Sequence, residues 1–262
     1  MEYSLIFGAC GGIGKELSLE LASKGYNLIL SGQTLSKLNI LKEEILSKFP
    51  LIKVIIGVCD LSSSKSRTDF FKTLERDKII LNGLYYVSGI DTQKAFCKYT
   101  EEKIVKQARV NYEGALSVTL SALKLKGENF KILVVSSLTG IIPMPYYAEY
   151  SSTKSALISF YTALRYELKN SKVKITILCP GSVPTRQDII SDIKKQGLQG
   201  KLSKKSPSYV VKKGLKALDK NKRICVPGFY NKLVRFFNSI TPNFIKIKIV
   251  ANKFKNKEKD CF

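Results

Sequence analysis

Short apolar runs alternate with helix-length segments over most of this chain, and that alternation restricts the fold more than any other feature. Strand-like runs cover 3–8, 26–31, 51–58, 83–88, 130–136, 173–179 and 223–227. Between them the periodicity predicts helices at about 13–24, 34–48, 64–77, 101–125 and 148–170. Several runs are apolar on both faces, as strands are when helices cover both sides of a parallel sheet. Repeated strand–helix alternation means βαβ units and a doubly wound sheet. Right-handed crossovers then place a ligand crevice at the carboxyl ends of the strands. At 262 residues, with no linker rich in Pro, Gly or Ser, the chain suits one large α/β domain with a buried core.

The first strand ends in Gly8-Ala9-Cys10-Gly11-Gly12-Ile13-Gly14, and a helical pattern starts at once. Glycines there permit a tight turn and a close approach of backbone to a pyrophosphate. The helix N-terminus adds free N–H groups and a positive dipole end. The expectation is therefore a Rossmann-like sheet of about seven strands that binds a dinucleotide. After the second strand the chain reads Ser31-Gly32-Gln33-Thr34, with Lys37 a turn later. No carboxylate stands there to repel a ribose 2′-phosphate, so NADP is expected over NAD, with NAD as the alternative.

Histidine is absent. That excludes Ser-His-Asp and Cys-His nucleophiles and His-ligated metals together. Acid–base chemistry near neutral pH must use a perturbed Tyr, Lys, Cys or carboxylate. The six cysteines are scattered without a C-x-x-C pair, which fits buried thiols in a reducing compartment and no metal site. Tyr150 and Lys154 supply one usable pair. Four residues apart on a predicted helix, they share a face, and a nearby ammonium favours a phenolate. The spacing alone would equally suit an amphipathic helix surface.

The order of these features resembles the short-chain dehydrogenase/reductase family, in its compact branch. The match is carried by the Gly-x-x-x-Gly-x-Gly turn and Tyr150-Ser151-Ser152-Thr153-Lys154. It covers residues 3–186 closely and runs more loosely to about 228. The resemblance implies that Ser137, at the end of the fifth strand, binds the reacting carbonyl oxygen. It implies that Asn111 supports a proton relay, with Tyr150 as the proton-transfer residue and Lys154 as its helper. Cofactor contacts are implied at Gly8, Gly11, Gly12, Ile13, Gly14, Gln33, Thr34, Asp60, Leu61, Ser88, Gly89, Tyr150, Lys154, Pro180, Gly181, Val183 and Thr185. Two departures from the family stand out. Phe7 stands where Thr is usual, and Tyr86-Val87 stand where Asn-Asn is usual, so the junction between the first and fourth strands is expected to be repacked.

Net charge is +23 and unevenly placed, residues 194–259 holding nineteen Lys and Arg against two acids. Residues 229–240 (FYNKLVRFFNSI) show helical apolar spacing with basic residues between, and after Pro242 the segment 243–254 is again apolar with lysines. The expected organisation is a catalytic domain at 1–228 and a basic amphipathic extension at 229–262. That extension suits an anionic membrane surface, or a flap or subunit contact, and nucleic acid is not expected because no binding module accompanies the charge. No apolar run is long enough to cross a membrane, and no leader pattern is visible, so a cytoplasmic protein, peripheral to a membrane through its tail, is expected.

The reading is an NADP-preferring oxidoreductase acting on a carbonyl or alcohol. The apolar stretch Ile141-Ile142-Pro143-Met144-Pro145-Tyr146-Tyr147 points to a lipophilic or acyl-type substrate. The lysines at 194–205 would suit an anionic acyl carrier. The family resemblance implies a homodimer or tetramer through 101–125 and 148–170. The rival reading is a cofactor-binding sensor or scaffold with little catalysis, acting through the basic tail.

Overall fold

The computed structural model describes all residues except Gln196, Asn256, Lys257 and Cys261, together with the side chains of Asp188, Asp192, Lys194, Lys195, Lys259 and Asp260. The elements run β1 Glu2–Phe7, α1 Gly12–Ala22, β2 Asn27–Gly32, α2 Leu35–Lys48, β3 Val54–Val58, α3 Ser64–Arg76 and β4 Ile80–Tyr86. There follow β5 Thr92–Gln93, α4 Glu101–Ala108, α5 Gly114–Lys124, β6 Lys126–Val135, α6 Ala148–Glu167 and β7 Lys174–Leu178. The last part holds α7 Gln187–Lys195, α8 Gly197–Ser203, α9 Pro207–Asp219, β8 Ile224–Cys225, α10 Phe229–Ile240, α11 Asn243–Phe254 and β9 Lys259–Asp260.

Seven strands form one parallel sheet in the order β3-β2-β1-β4-β6-β7-β8. The apolar runs are buried on both faces because each face has its own core. Leu17, Leu38, Leu41, Ile45, Val210 and Leu215 bring α1, α2 and α9 onto one side. Phe70, Phe71, Ala115, Val118, Leu157 and Tyr161 bring α3, α5 and α6 onto the other. The order reverses between β1 and β4, and the crevice for a ligand opens at their carboxyl ends.

Among the differences from the sequence expectation, three bear on the core and the site. The helix expected at 101–125 is two helices joined by one π-helical turn, Arg109–Glu113. The side chain of Asn111 in that turn clamps the backbone of Ile90, accepting from its N–H at 2.9 Å and donating to its carbonyl at 2.9 Å. A tertiary bond thus replaces helical regularity. The second difference is α9, which the periodicity did not reveal. It starts at a Ser206 cap, whose Oγ accepts from Tyr209 N at 3.2 Å, and at Pro207 in the first turn. Third, the strand expected at 223–227 is only two residues long.

The aromatic replacements at the β1–β4 junction pack on each other. The Phe7 ring lies 5.4 Å from Phe70 and 6.2 Å from Tyr86, and the Tyr86 hydroxyl donates to the Val110 carbonyl. The chain end folds back as well: β9 pairs antiparallel with β5, Glu258 pairs with Lys98, and Lys103 donates to the Phe262 carbonyl. No helix among the described residues is long and apolar enough to cross a membrane.

Candidate active site

The site is built on the turn after β1. Gly8 has φ +81°, and a Cβ there would stand 2.8 Å from Ser88 N, so the ends of β1 and β4 touch across the point where strand order reverses. A Cβ on Gly14 would lie 2.0 Å from the Gly8 carbonyl oxygen, which is how closely α1 tucks under the turn. The helix starts at Gly11 with no side-chain cap and no acid in its first turn, leaving its first N–H groups for an anion.

A cleft of about 620 Å³ opens over this turn. Its lining includes Gly8, Gly11, Gly12, Ile13, Gln33, Thr34, Leu61, Ser88, Gly89 and Thr185. Side chains would fill the cradle: a Cβ on Gly12 would meet Thr185 Cγ2 at 2.6 Å. The described lining holds three cations, Lys37, Lys106 and Arg186, and no Asp or Glu. A dinucleotide phosphate fits such a site in shape and in charge. At the rim the Phe262 ring lies 5.1 Å from Lys103 Nζ and 5.4 Å from Lys106 Nζ.

Other residues singled out in the sequence lie behind the lining. Asp60 accepts from Ser62 N at 2.9 Å and Ser62 Oγ at 2.7 Å, and these bonds with that from Gln33 hold its carboxyl below the usual range. Val183 is buried. Pro180 accepts from Leu138 N at 2.9 Å. Gly181 gives room to α10, since a Cβ there would lie 2.7 Å from Asn231 Nδ2.

The chemical end is formed where β6 gives way to α6. Ser137 caps the 3-10 turn Leu138–Ile141, its Oγ accepting from Thr139 N at 3.1 Å. The Ser137 hydroxyl also faces Tyr150, in the first turn of α6, and draws its phenol pKa down against the larger effect of burial. Lys154 is buried one turn on and donates from Nζ to the Val135 carbonyl at 3.0 Å. Gly89 is needed beside it, because a Cβ there would come within 3.0 Å of Lys154 Nζ and 3.5 Å of Asn111 Oδ1. Asn111 Nδ2 also donates to Thr153 Oγ1 at 3.2 Å, which joins the π turn to α6.

Tyr147, from the apolar stretch read as substrate-facing, converges on the same mouth with Asp91 and Arg186, to which the sequence assigns no individual role. Tyr147 stacks on Tyr150, centroids 4.6 Å apart, and its hydroxyl donates to Asp91 Oδ2 at 2.8 Å. Arg186 donates to Asp91 Oδ1 at 2.9 Å. Positions 91, 147 and 186 share no sequence pattern, so only the fold shows them together.

Electrostatics here differ from the spacing argument. Burial pushes the Tyr150 phenol well above its ordinary value and Asp91 adds to that, while the Ser137 hydroxyl and Arg186 oppose it. Lys154 lies with Nζ 5.6 Å from the Tyr150 ring centroid, and burial brings its own pKa down to about 8. Desolvation is therefore the dominant effect on both groups, not the attraction between ammonium and phenolate that the spacing suggests.

Fold and site define a class: a doubly wound dinucleotide-binding domain carrying a serine–tyrosine–lysine set at the strand ends. Residues 2–193 match the short chain dehydrogenase family, and the chain belongs to it. The very-long-chain 3-oxoacyl-CoA reductase of Neurospora crassa is 30% identical over 190 residues, 70% of this chain and 56% of that protein. Its namesake from Eremothecium gossypii is 31% identical over 187 residues, 67% of this chain and 52% of that one. The chain spans about half the length of these curated relatives. Among solved structures, a 7beta-hydroxysteroid dehydrogenase superposes with TM-score 0.84 at 21% identity, covering 95% of this chain and 96% of that chain. The angucycline C-6 ketoreductase LanV with bound NADP gives 0.76 at 17% identity, covering 86% and 93%. These likenesses carry the fold.

Proposed function

We propose that this chain interconverts a carbonyl and an alcohol on a lipophilic, acyl-type substrate, with NADP as its cofactor. The observation that carries the reading is the Ser137–Tyr150 pair, with Lys154 a turn away, beside a glycine-cradled cleft that has no Asp or Glu in its described lining. A bound nicotinamide ring supplies or accepts the hydride. Ser137 and Tyr150 polarise the substrate oxygen, and Tyr150 passes the proton. Burial keeps its phenol protonated at neutral pH, the form that donates during reduction. Lys154 would hold the nicotinamide ribose. Asn111 holds the Gly89–Ile90 backbone against Lys154 at the inner end of a proton relay.

NADP is favoured over NAD by Gln33, Thr34 and Lys37 in the lining, with Thr34 Oγ1 making no cap bond to α2. A 3-oxoacyl thioester is favoured among carbonyls by the relatives' reductase names and by the half-buried Ile141 and Ile142 near Ser137. Lys194 and Lys195, considered for an anionic carrier, have side chains outside the described residues. Exposed Leu120 and Tyr166 on α5 and α6 support self-association there.

The test is NADPH and NADH oxidation against 3-oxoacyl thioesters, ketones and aldehydes. NADPH turnover is expected, with a higher kcat/KM than NADH. Tyr150→Phe is expected to lower kcat by about 10²–10⁴ and leave NADPH binding, read by nucleotide fluorescence, nearly unchanged. Tight NADPH binding without turnover on any substrate would replace this reading with a sensor or scaffold.

A further inference from the structure

The two helices after β8 are packed inside out. In α10 the one buried residue is polar, with Tyr230, Val234, Arg235 and Asn238 half-buried around it. Asn231 is buried and donates to Ser203 O at 3.1 Å and Pro227 O at 2.8 Å, and Asn238 donates to Ile141 O at 3.0 Å. The apolar stripe Phe229, Leu233, Phe236, Phe237 and Ile240 is exposed. The succeeding helix, α11, has no buried residue at all. Lysines tie it inward, Lys246 to Asn238 O at 2.8 Å and Lys253 to Gln199 Oε1 at 2.6 Å, while Phe244 and Ile249 stand 74% and 63% exposed. A helix of a globular protein turns its apolar stripe to the core. Here two successive helices turn theirs to solvent, and they lie beyond the residues that match the family.

We propose that α10 and α11 dock in the plane of an anionic lipid bilayer, aromatic and aliphatic side chains at acyl depth and basic residues among the headgroups. Charge selects this occupant. Between Asp219 and Glu258 the sequence has no acid, and the two helices carry Lys232, Arg235, Lys246, Lys248 and Lys253. A second copy laid on the same surface would bring the same unbalanced cations, so like charges would face each other. An anionic headgroup layer supplies the missing charge, and apolar residues among basic ones are the composition of interfacial helices. Because Asn238 bonds to Ile141, docking sets the apolar loop beside Ser137 close to the lipid.

The experiment is flotation of the full chain with phosphatidylcholine vesicles containing phosphatidylglycerol, and with phosphatidylcholine alone. The protein is expected to float with the anionic vesicles and to lose most binding in high salt. Phe237→Ser with Phe244→Ser should lower the partition coefficient about tenfold or more. Lys232→Gln and Lys248→Gln should each lower it about fivefold. NADPH binding and thermal unfolding of these exposed-site variants should match the parent chain. Should the serine pair fail to fold, the lysine variants carry the test alone. No flotation with anionic vesicles, or equal flotation of parent and variants, overturns the proposal. So does gel filtration in which the serine pair converts a concentration-dependent dimer to monomer while neither form binds vesicles.

Discussion

Glu149 stands next to Tyr150 in the chain, 9% exposed, with no hydrogen-bond partner for its Oε2. Burial alone lifts its pKa from 4.5 to about 7. Below pH 4.5 the carboxyl is protonated whether the chain is folded or unfolded, and it costs nothing. As pH rises from 4.5 towards about 7 the unfolded chain ionises while the folded chain keeps its proton, so stability falls. Above about 7 the penalty is constant. Glu149→Gln should therefore stabilise the protein above pH 7 by on the order of 1–2 kcal/mol, a value reduced to allow for partial access of water to the carboxylate. It should change nothing below pH 4.5. Thermal melts of both proteins across that range check the sign, and a gain that is equal at all pH values would count against it.

At the scale of elements, the glycine turn and α1 form the stretch where sequence and structure agree most fully, because the constraint is local. A Cβ on Gly14 would meet backbone, not a side chain that can move aside. Gly14→Ala should then push α1 away from β1, destabilise the fold by about 2–4 kcal/mol and weaken NADPH binding at least tenfold. Denaturant titration and nucleotide fluorescence measure the two effects. The strands and most helices were legible for the same local reason, their apolar periodicity. The break in the 101–125 helix was not, since it depends on Asn111 reaching a backbone segment twenty-one residues away. Nor was α9, although its Ser206-Pro207 start is a local signal, because its many lysines hide the stripe of Val210, Val211, Leu215 and Leu218 that reaches the core. Within the site, Tyr150 and Lys154 were legible from spacing, whereas the order in which burial and charge act on them needed the packing.

At the scale of the whole molecule, Asp91 joins loops that follow β4, β6 and β7, through Tyr147 and Arg186. This clasp ties those loops together at the mouth and places a negative charge near both titrating groups. Asp91 raises the proton affinity of Tyr150 and also that of Lys154. Asp91→Asn keeps the shape but removes the charge and one acceptor. Two effects should separate. The loops lose one bond, so KM for the carbonyl substrate should rise several-fold. With the negative charge gone, the Tyr150 phenolate and the neutral Lys154 amine each form at lower pH, and the alkaline limb of kcat/KM for reduction should shift acidward by up to about one unit. A clasp that only fastened loops would raise KM and leave that limb in place. The pH profile at saturating NADPH therefore decides whether Asp91 acts on Tyr150 and Lys154 or only on the loops that surround them.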